Sequence, residues 1–189
     1  MARAGLTPER LVAAAAELAD EAGLAQVTAS AVARRFDVKA ASLYSHIGGT
    51  DDLRTGVALL ALREMADRVA EALAGRSGRD ALAAFAGAYR DYARAHPGRY
   101  EAARLPLDHE TAMASAGVRH SQLARAVLRG YDIAEPDQTH AVRLLGSVFH
   151  GYISLEAATG FSHTPVDSDT SWQWTLDRLD ALLRSGSAG

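Results

Sequence analysis

The sequence predicts an all-α protein: an N-terminal three-helix helix-turn-helix domain joined to a larger helical domain. Three observations carry the fold class. No β-branched run alternates over several positions, apolar residues recur at helical spacing between short Gly, Pro and Asp breaks, and alanine is abundant. With 189 residues, 48% hydrophobic and a net charge of -3, the chain can bury a core and is too apolar for disorder. The chain contains no cysteine, which excludes disulfides, thiol nucleophiles and cysteine zinc sites.

The first helix starts at Thr7-Pro8-Glu9, with Thr7 as N-cap, Pro8 at the first helical position and Glu9 on the positive end of the dipole. Leu11, Ala15, Leu18 and Ala22 share its inner face, and Gly23 ends it. Thr28 and Ser30 open a second, shorter helix with Val32 and Phe36 inward. Asp37-Val38 is a tight connection, and a third short helix runs from Lys39 to His46, closed by Gly48-Gly49. Thr50-Asp51-Asp52 begins a long helix ending near Leu73, with Leu62, Met65, Val69 and Leu73 inward and Glu64 and Arg68 paired at the surface. Further helices are expected over Arg79 to Ala95, Pro97 to Ala103, His109 to Arg129, Pro136 to Thr159 and Ser171 to Arg184. Gly160 to Asp169 reads as a loop and Ser185 to Gly189 as a frayed tail. The composition changes near Gly48-Gly49, so residues 1–50 are expected to form one domain and 51–189 the other.

Charged residues from Arg3 to Glu21 interrupt any signal-peptide core, and the apolar stretch Val57 to Leu62 is too short for a membrane span. A cytoplasmic protein without a membrane partner is expected. The near-neutral balance leaves nucleic-acid binding to a local surface.

Helix, tight turn and helix at 28–46 have helix-turn-helix dimensions, anchored by Val32, Phe36, Val38 and Leu43. The second helix of such a pair enters a major groove while the first crosses the phosphate backbone. Thr28 offers a hydroxyl and helix N-terminal N–H groups to a phosphate; Lys39, Tyr44 and His46 can reach phosphates too. Ala40, Ala41, Ser42 and Ser45 are small enough for close approach; alanine can touch a thymine methyl and serine a base edge. The competing reading makes Tyr44 and His46 caps of a small helical core, and Lys39 a solvated turn residue.

The segment Leu6 to Leu53 resembles the DNA-binding domain of the TetR family of transcriptional regulators. The resemblance rests on Arg10-Leu11-Val12-Ala13-Ala14-Ala15, on Thr28-Ala29-Ser30-Ala31-Val32-Ala33, and on Val38-Lys39-Ala40-Ala41-Ser42-Leu43-Tyr44-Ser45-His46. It implies phosphate contacts for Tyr44 and His46. Two departures stand out: Asp37 where many members have a turn glycine, and Thr50 followed by two aspartates where many have a lysine. The second removes a phosphate contact and shifts weight to Arg34, Arg35 and Lys39. One subgroup of the family carries His-Pro-Gly-x-Tyr mid-chain and an aromatic-His-Gly motif in the penultimate helix. His96-Pro97-Gly98-Arg99-Tyr100 and Phe149-His150-Gly151-Tyr152 match both, with Phe149 in the usual tryptophan position.

Met65, Phe85, Tyr89, Tyr92, Tyr100, Leu105, Met113 and Phe149 read either as core or as the lining of an effector pocket, to which the resemblance points. Tyr89 and Tyr92 cannot share one orientation, with polar Arg90 and Asp91 between them. His150 is either a buried histidine satisfied by a neighbour or an imidazole presented to an effector. The last two helices read as a dimer element through Val142, Leu145, Gly146, Phe149, Ile153, Leu155, Trp172, Trp174, Leu176, Leu179, Leu182 and Leu183, with Ser147, Gly151 and Ser154 allowing close approach, or as completion of the monomer core.

No His-Glu-x-x-His, nucleophile elbow or Gly-rich phosphate loop occurs, and His109 and His120 would lie three turns apart on one helix. No enzyme activity, cofactor or metal is expected. The expectation is a homodimeric transcriptional repressor released from a palindromic double-stranded DNA operator by a small-molecule effector. The alternative is an all-helical small-molecule sequestering protein that does not bind an operator.

Overall fold

The computed structural model describes residues 5–185, and among them it holds nine α-helices and no strand. They are α1 (Pro8–Ala22), α2 (Ala29–Arg35), α3 (Thr50–Leu73), α4 (Gly78–Ala95), α5 (Pro97–Ala102), α6 (His109–Ala114), α7 (Gly117–Leu128), α8 (Glu135–Ala157) and α9 (Ser168–Ser185). The all-helical class is therefore as the sequence predicts; of the expected tail, 186–189 lies outside the described residues. No described helix is long and apolar enough to cross a membrane.

Local chemistry sets the ends of α1 and α2. The Thr7 hydroxyl accepts from the Arg10 N–H at 3.3 Å, and Gly23 at φ 93° ends α1 with its N–H on the Ala19 carbonyl. On α1 the buried positions are Leu11, Ala15, Ala16 and Ala19; Ala22 is exposed, because the helix drifts off the core in its last turn. Thr28 caps α2 by accepting from Ala31 N–H at 3.1 Å. At the other end the N–H groups of Asp37 and Val38 reach the Arg34 and Ala33 carbonyls, at 3.2 and 3.1 Å. With Asp37 at φ 53° this is a Schellman ending, and aspartate takes the left-handed position that glycine usually fills.

Two helices depart from expectation. The segment expected as a helix from Lys39 to His46 is a 3-10 turn, Ala40–Ser42, continued by turns to His46. Lys39 provides no side-chain cap, and the Ser45 hydroxyl donates to the Ser42 carbonyl at 3.1 Å, drawing it out of a regular ladder. The helix expected over His109 to Arg129 breaks at Ser115, whose backbone is extended and whose hydroxyl accepts from the Gly117 N–H at 3.0 Å to start α7.

The chain divides into two compact units. One comprises residues up to Glu64 together with Ala95–Gly117, the other Met65–Arg94 together with residues from Val118 onward. The chain passes between them inside α3, whose buried stripe is Leu53, Val57, Ala58, Ala61, Met65, Ala66 and Val69; Leu62 and Leu73 are only half-buried.

In the first unit, Leu11, Leu24, Val27, Val32, Leu43, Leu53 and Val57 form the core, with Phe36, Val38 and Leu105 packed at its edge. Burying each such aliphatic side chain contributes about 1.5–3 kcal/mol. Arg54 donates to the Val27 and Ala25 carbonyls at 3.2 and 3.0 Å, and the Thr50 hydroxyl accepts from the Ala29 N–H at 3.2 Å. These bonds tie the start of α3 to α2 and the turn before it. The His96-Pro97-Gly98-Arg99-Tyr100 segment docks α5 on α1. Asp20 accepts from the Arg99 N–H at 2.9 Å and meets His96 Nδ1 at 3.1 Å, while Arg99 reaches Glu64 at 3.3 Å. At Gly98 the backbones touch: a Cβ there would lie 2.0 Å from the Ala19 carbonyl oxygen.

In the second unit, Phe85, Phe149 and Trp172 stack across α4, α8 and α9, with centroids 6.1 and 5.8 Å apart. Arg90, 5% exposed, lies over the rings of Trp172 and Tyr152 and is held by Glu156, Ser168 and Asp169.

Candidate functional site

After the Schellman turn the chain packs back on the first unit's core through Leu43 and Ile47, which are buried, with Val38 and Ala40 against its edge. Lys39, Ala41, Ser42, Tyr44 and Ser45 are exposed, while Ala40 and His46 are half-buried. Tyr44 is 59% exposed and so presents most of its ring to solvent. Thr28 lies at the N-terminus of α2 and is half-buried; its hydroxyl and two nearby N–H groups are already bonded within the fold.

The charges around this edge are not equivalent. Arg34 and Lys39 are exposed and enter no ion pair among the described residues. Arg35, on α2 as well, is held by Glu17 and Glu21 of α1. Asp52, which the sequence places beside the edge, turns back to accept from the Gly48 N–H at 2.8 Å. This bond fixes the Asp52 side chain against the turn before α3; its negative charge remains beside the edge.

The second unit contains a cavity of about 100 Å³. Phe85 and Tyr89 of α4, His120, Ser121 and Ala124 of α7, and Val142, Leu145, Gly146, Phe149 and His150 of α8 line it. The Tyr89 hydroxyl hydrogen-bonds His120 Nδ1. The Tyr89 ring sits edge-on to both imidazoles, 5.4 Å from His120 and 5.9 Å from His150.

Of the expected lining residues, the structure gathers Phe85, Tyr89, Phe149 and His150 here. It does not bring the others. Tyr92 is buried beneath the Arg68 guanidinium, and Met65 is buried in α3 without reaching the cavity. Tyr100, Leu105 and Met113 belong to the first unit: Tyr100 is buried under Arg104, Leu105 edges that core, and Met113 is exposed. Burial pushes the Tyr100 phenol well above its ordinary range. His120 is the residue that sequence reasoning missed, because no spacing rule links it to Tyr89 across 31 positions. His109 and His120 sit on different helices, and no described group of three potential ligands could hold a metal.

Most of the expected dimer residues take the alternative place, in the protomer's own core. Leu145, Phe149, Ile153, Trp172, Leu176, Leu179 and Leu183 are buried within the single chain, and Gly146 faces the cavity. The protomer's own core consumes them, because α8 and α9 turn their most apolar stripes inward. Leu144 and Leu155 of α8 and Trp174 and Leu182 of α9 are the large apolar residues left exposed there.

A model of bacterial regulatory proteins of the tetR family matches residues 11–57, and one of tetracyclin repressor-like C-terminal domains matches 82–179. The HTH-type transcriptional regulator YobS of Bacillus subtilis is 36% identical, over 84% of this chain and 83% of that protein. The HTH-type regulator Rv0681 of Mycobacterium tuberculosis is 34% identical over 94% and 82%. Among solved structures, apo ActR of Streptomyces coelicolor superposes with TM-score 0.70 at 22% identity, covering 98% of this chain and 100% of that one. A TetR variant of Acinetobacter baumannii in complex with minocycline gives 0.72 at 20%, over 98% and 100%.

Proposed function

The chain belongs to the TetR family of transcriptional regulators, and on that premise we propose that it is a cytoplasmic, homodimeric repressor that a small effector releases from a palindromic operator. The observation that carries the reading is the exposed row Lys39, Ser42, Tyr44 and Ser45 beyond a buried Leu43 anchor. Residues 1–50 read DNA, and 51–189 bind the effector and dimerise. Tyr44 and His46 contact phosphates, joined by Lys39 and Arg34; Ala41, Ser42 and Ser45 approach the base edges. Two readers related by symmetry address the two halves of a palindrome.

The effector acts through α3, a single helix that begins beside the reader and continues into the second unit. Shifting it changes the spacing of the two readers. The effector must favour one spacing over the other by about 1–3 kcal/mol of coupling or more.

Binding of the purified protein to DNA from upstream of its own gene, against random competitor and across salt concentration, tests this. Selective binding that weakens with salt is expected. Binding no better than to random DNA would favour a sequestering module. Tyr44→Phe and His46→Ala are expected to weaken binding to every sequence alike, by about 1 kcal/mol each. Lys39→Ala and Arg34→Ala each lower the salt slope by about 1. Arg35→Ala changes it less, since two carboxylates already compensate that charge.

The dimer face is the exposed apolar set Leu144, Leu155, Trp174 and Leu182, with exposed Gly151 and Ser147 allowing close helix approach. Leu144→Glu combined with Trp174→Ala is expected to yield a folded monomer by light scattering. An unchanged dimer mass would move the interface elsewhere.

A further inference from the structure

We propose that the cavity lined by α4, α7 and α8 takes a compact, ring-sized organic molecule bearing one acidic oxygen group, a carboxylate or a phenol, and discriminates against amines. This rests on the reading of that cavity as the effector site and specifies its chemistry. Size sets the first limit. About 100 Å³ is below the ~150 Å³ of a known apolar cavity that holds benzene, so nothing larger than a single ring enters without the walls moving.

The walls set the second. Phe85, Phe149, Leu145 and Val142 form an apolar surface that suits a ring. The polar groups are Tyr89, His120, His150 and Ser121, so phenol, imidazoles and hydroxyl meet in one small space.

Among the described residues that line the cavity there is no carboxylate, arginine or lysine. An ammonium group would meet no carboxylate among these lining residues, whereas an anion can draw a proton onto one of the two imidazoles and so meet a counter-charge there. Imidazole takes up a proton near neutral pH, and a bound carboxylate favours that uptake. A carboxylate also accepts charge-assisted bonds from imidazolium, roughly twice as strong as those available to a neutral alcohol.

Titration calorimetry of the full-length protein at pH 7 with benzoate, benzyl alcohol and benzylamine tests the charge rule at constant ring size. Benzoate is expected to bind at least about tenfold more tightly than benzylamine, one charge-assisted bond's worth, with benzyl alcohol between them. Benzoate binding should take up protons, seen as a dependence of the heat on the buffer's ionisation enthalpy. His120→Gln with His150→Gln should lose both the preference and the proton uptake.

Location is tested separately. A Cβ at Gly146 meets no atom within 4 Å, so Gly146→Leu fills the cavity from a helix that tolerates the side chain. It should abolish benzoate binding while leaving the melting temperature at or above the parent's. Benzylamine binding as tightly as benzoate, benzoate binding unchanged in Gly146→Leu, or no benzoate binding at millimolar concentration would each overturn the proposal. Operator affinity is read in parallel. Benzoate that binds by these rules yet leaves operator affinity unchanged would remove its effector role and keep the ligand chemistry; lost charge preference with intact operator binding would overturn the ligand chemistry and leave the operator-binding reading standing.

Discussion

Gly98→Ala is expected to be among the most destabilising single-methyl changes in the chain. The added Cβ would lie 2.0 Å from the Ala19 carbonyl oxygen and 2.7 Å from the Asp20 backbone nitrogen. Both are helix backbone, so α5 must lift from α1 as a body. That movement stretches the Asp20 bonds to His96 and to the Arg99 N–H, now 3.1 and 2.9 Å. A loss of about 3 kcal/mol is expected, at the upper end of overpacking effects. For a chain of this length that lowers the melting temperature by about 6–12 °C.

Gly87→Ala supplies the control. It also sits within a helix, α4, but its Cβ would meet no atom within 4 Å. Helix propensity then decides, and a gain of about 0.5–1 kcal/mol is expected. Equal melting temperatures for the two variants would remove the close approach of α5 and α1 as a stabilising feature.

Glu156→Ala carries the second large effect. Arg90 is buried between Trp172 and Tyr152, and Glu156 accepts from its Nε at 3.0 Å while also taking Arg94 at 2.9 Å. Deleting the carboxylate leaves a buried guanidinium with Ser168 and Asp169, and costs about 3 kcal/mol, the lower end for a broken buried pair. Arg90→Met should cost much less, because a flexible apolar chain can fill the slot between the rings. If Arg90→Met proves as damaging as Glu156→Ala, the guanidinium itself, and not its burial without Glu156, holds the unit together.

The same pair predicts a pH dependence. The hydrogen bonds from Arg90 above all, then those from Arg94 and Ser168, hold the Glu156 carboxyl well below its ordinary value, at about 2, against the opposing effect of burial. A carboxyl depressed in the folded state stabilises the protein above its unfolded pKa of about 4.3. That stability is lost as pH falls from about 5 towards 2. The parent's urea midpoint should be lower at pH 3 than at pH 7, and the difference should be smaller for Glu156→Ala. An identical fall in both would assign the acid sensitivity to other carboxylates.

Local signals made much of the reader legible. Thr7-Pro8 and Gly23 bracket α1 as their chemistry demands, and Asp37 takes the left-handed turn position that the chain's missing glycine would require. The exposed Tyr44 beside a buried Leu43 follows from the Leu-Tyr-x-His spacing. Legibility ended where a residue's partner is distant in sequence. Arg90 reads as a polar spacer between two tyrosines, yet it is buried because Glu156, 66 positions on, neutralises it. Tyr100, Leu105 and Met113 share the aromatic and methionine character of cavity residues, but the chain returns them to the first unit. The apolar stripes of α8 and α9 were visible as stripes; periodicity says that a face is covered, not what covers it.

By itself, then, the sequence determined the all-helical class, most of the helices and their caps, and the left-handed turn after α2, but not the 3-10 turn at Ala40–Ser42 or the break at Ser115. Each feature so determined depends on residues within about one helical turn, where backbone sterics and capping bonds act. The tertiary structure alone decided that α5 presses on α1 at Gly98, that Tyr89 meets His120 and His150, and that Leu144, Leu155, Trp174 and Leu182 stay outside. Those outcomes depend on which helix faces pack together, a competition for buried area among segments far apart in the chain, which no local pattern encodes.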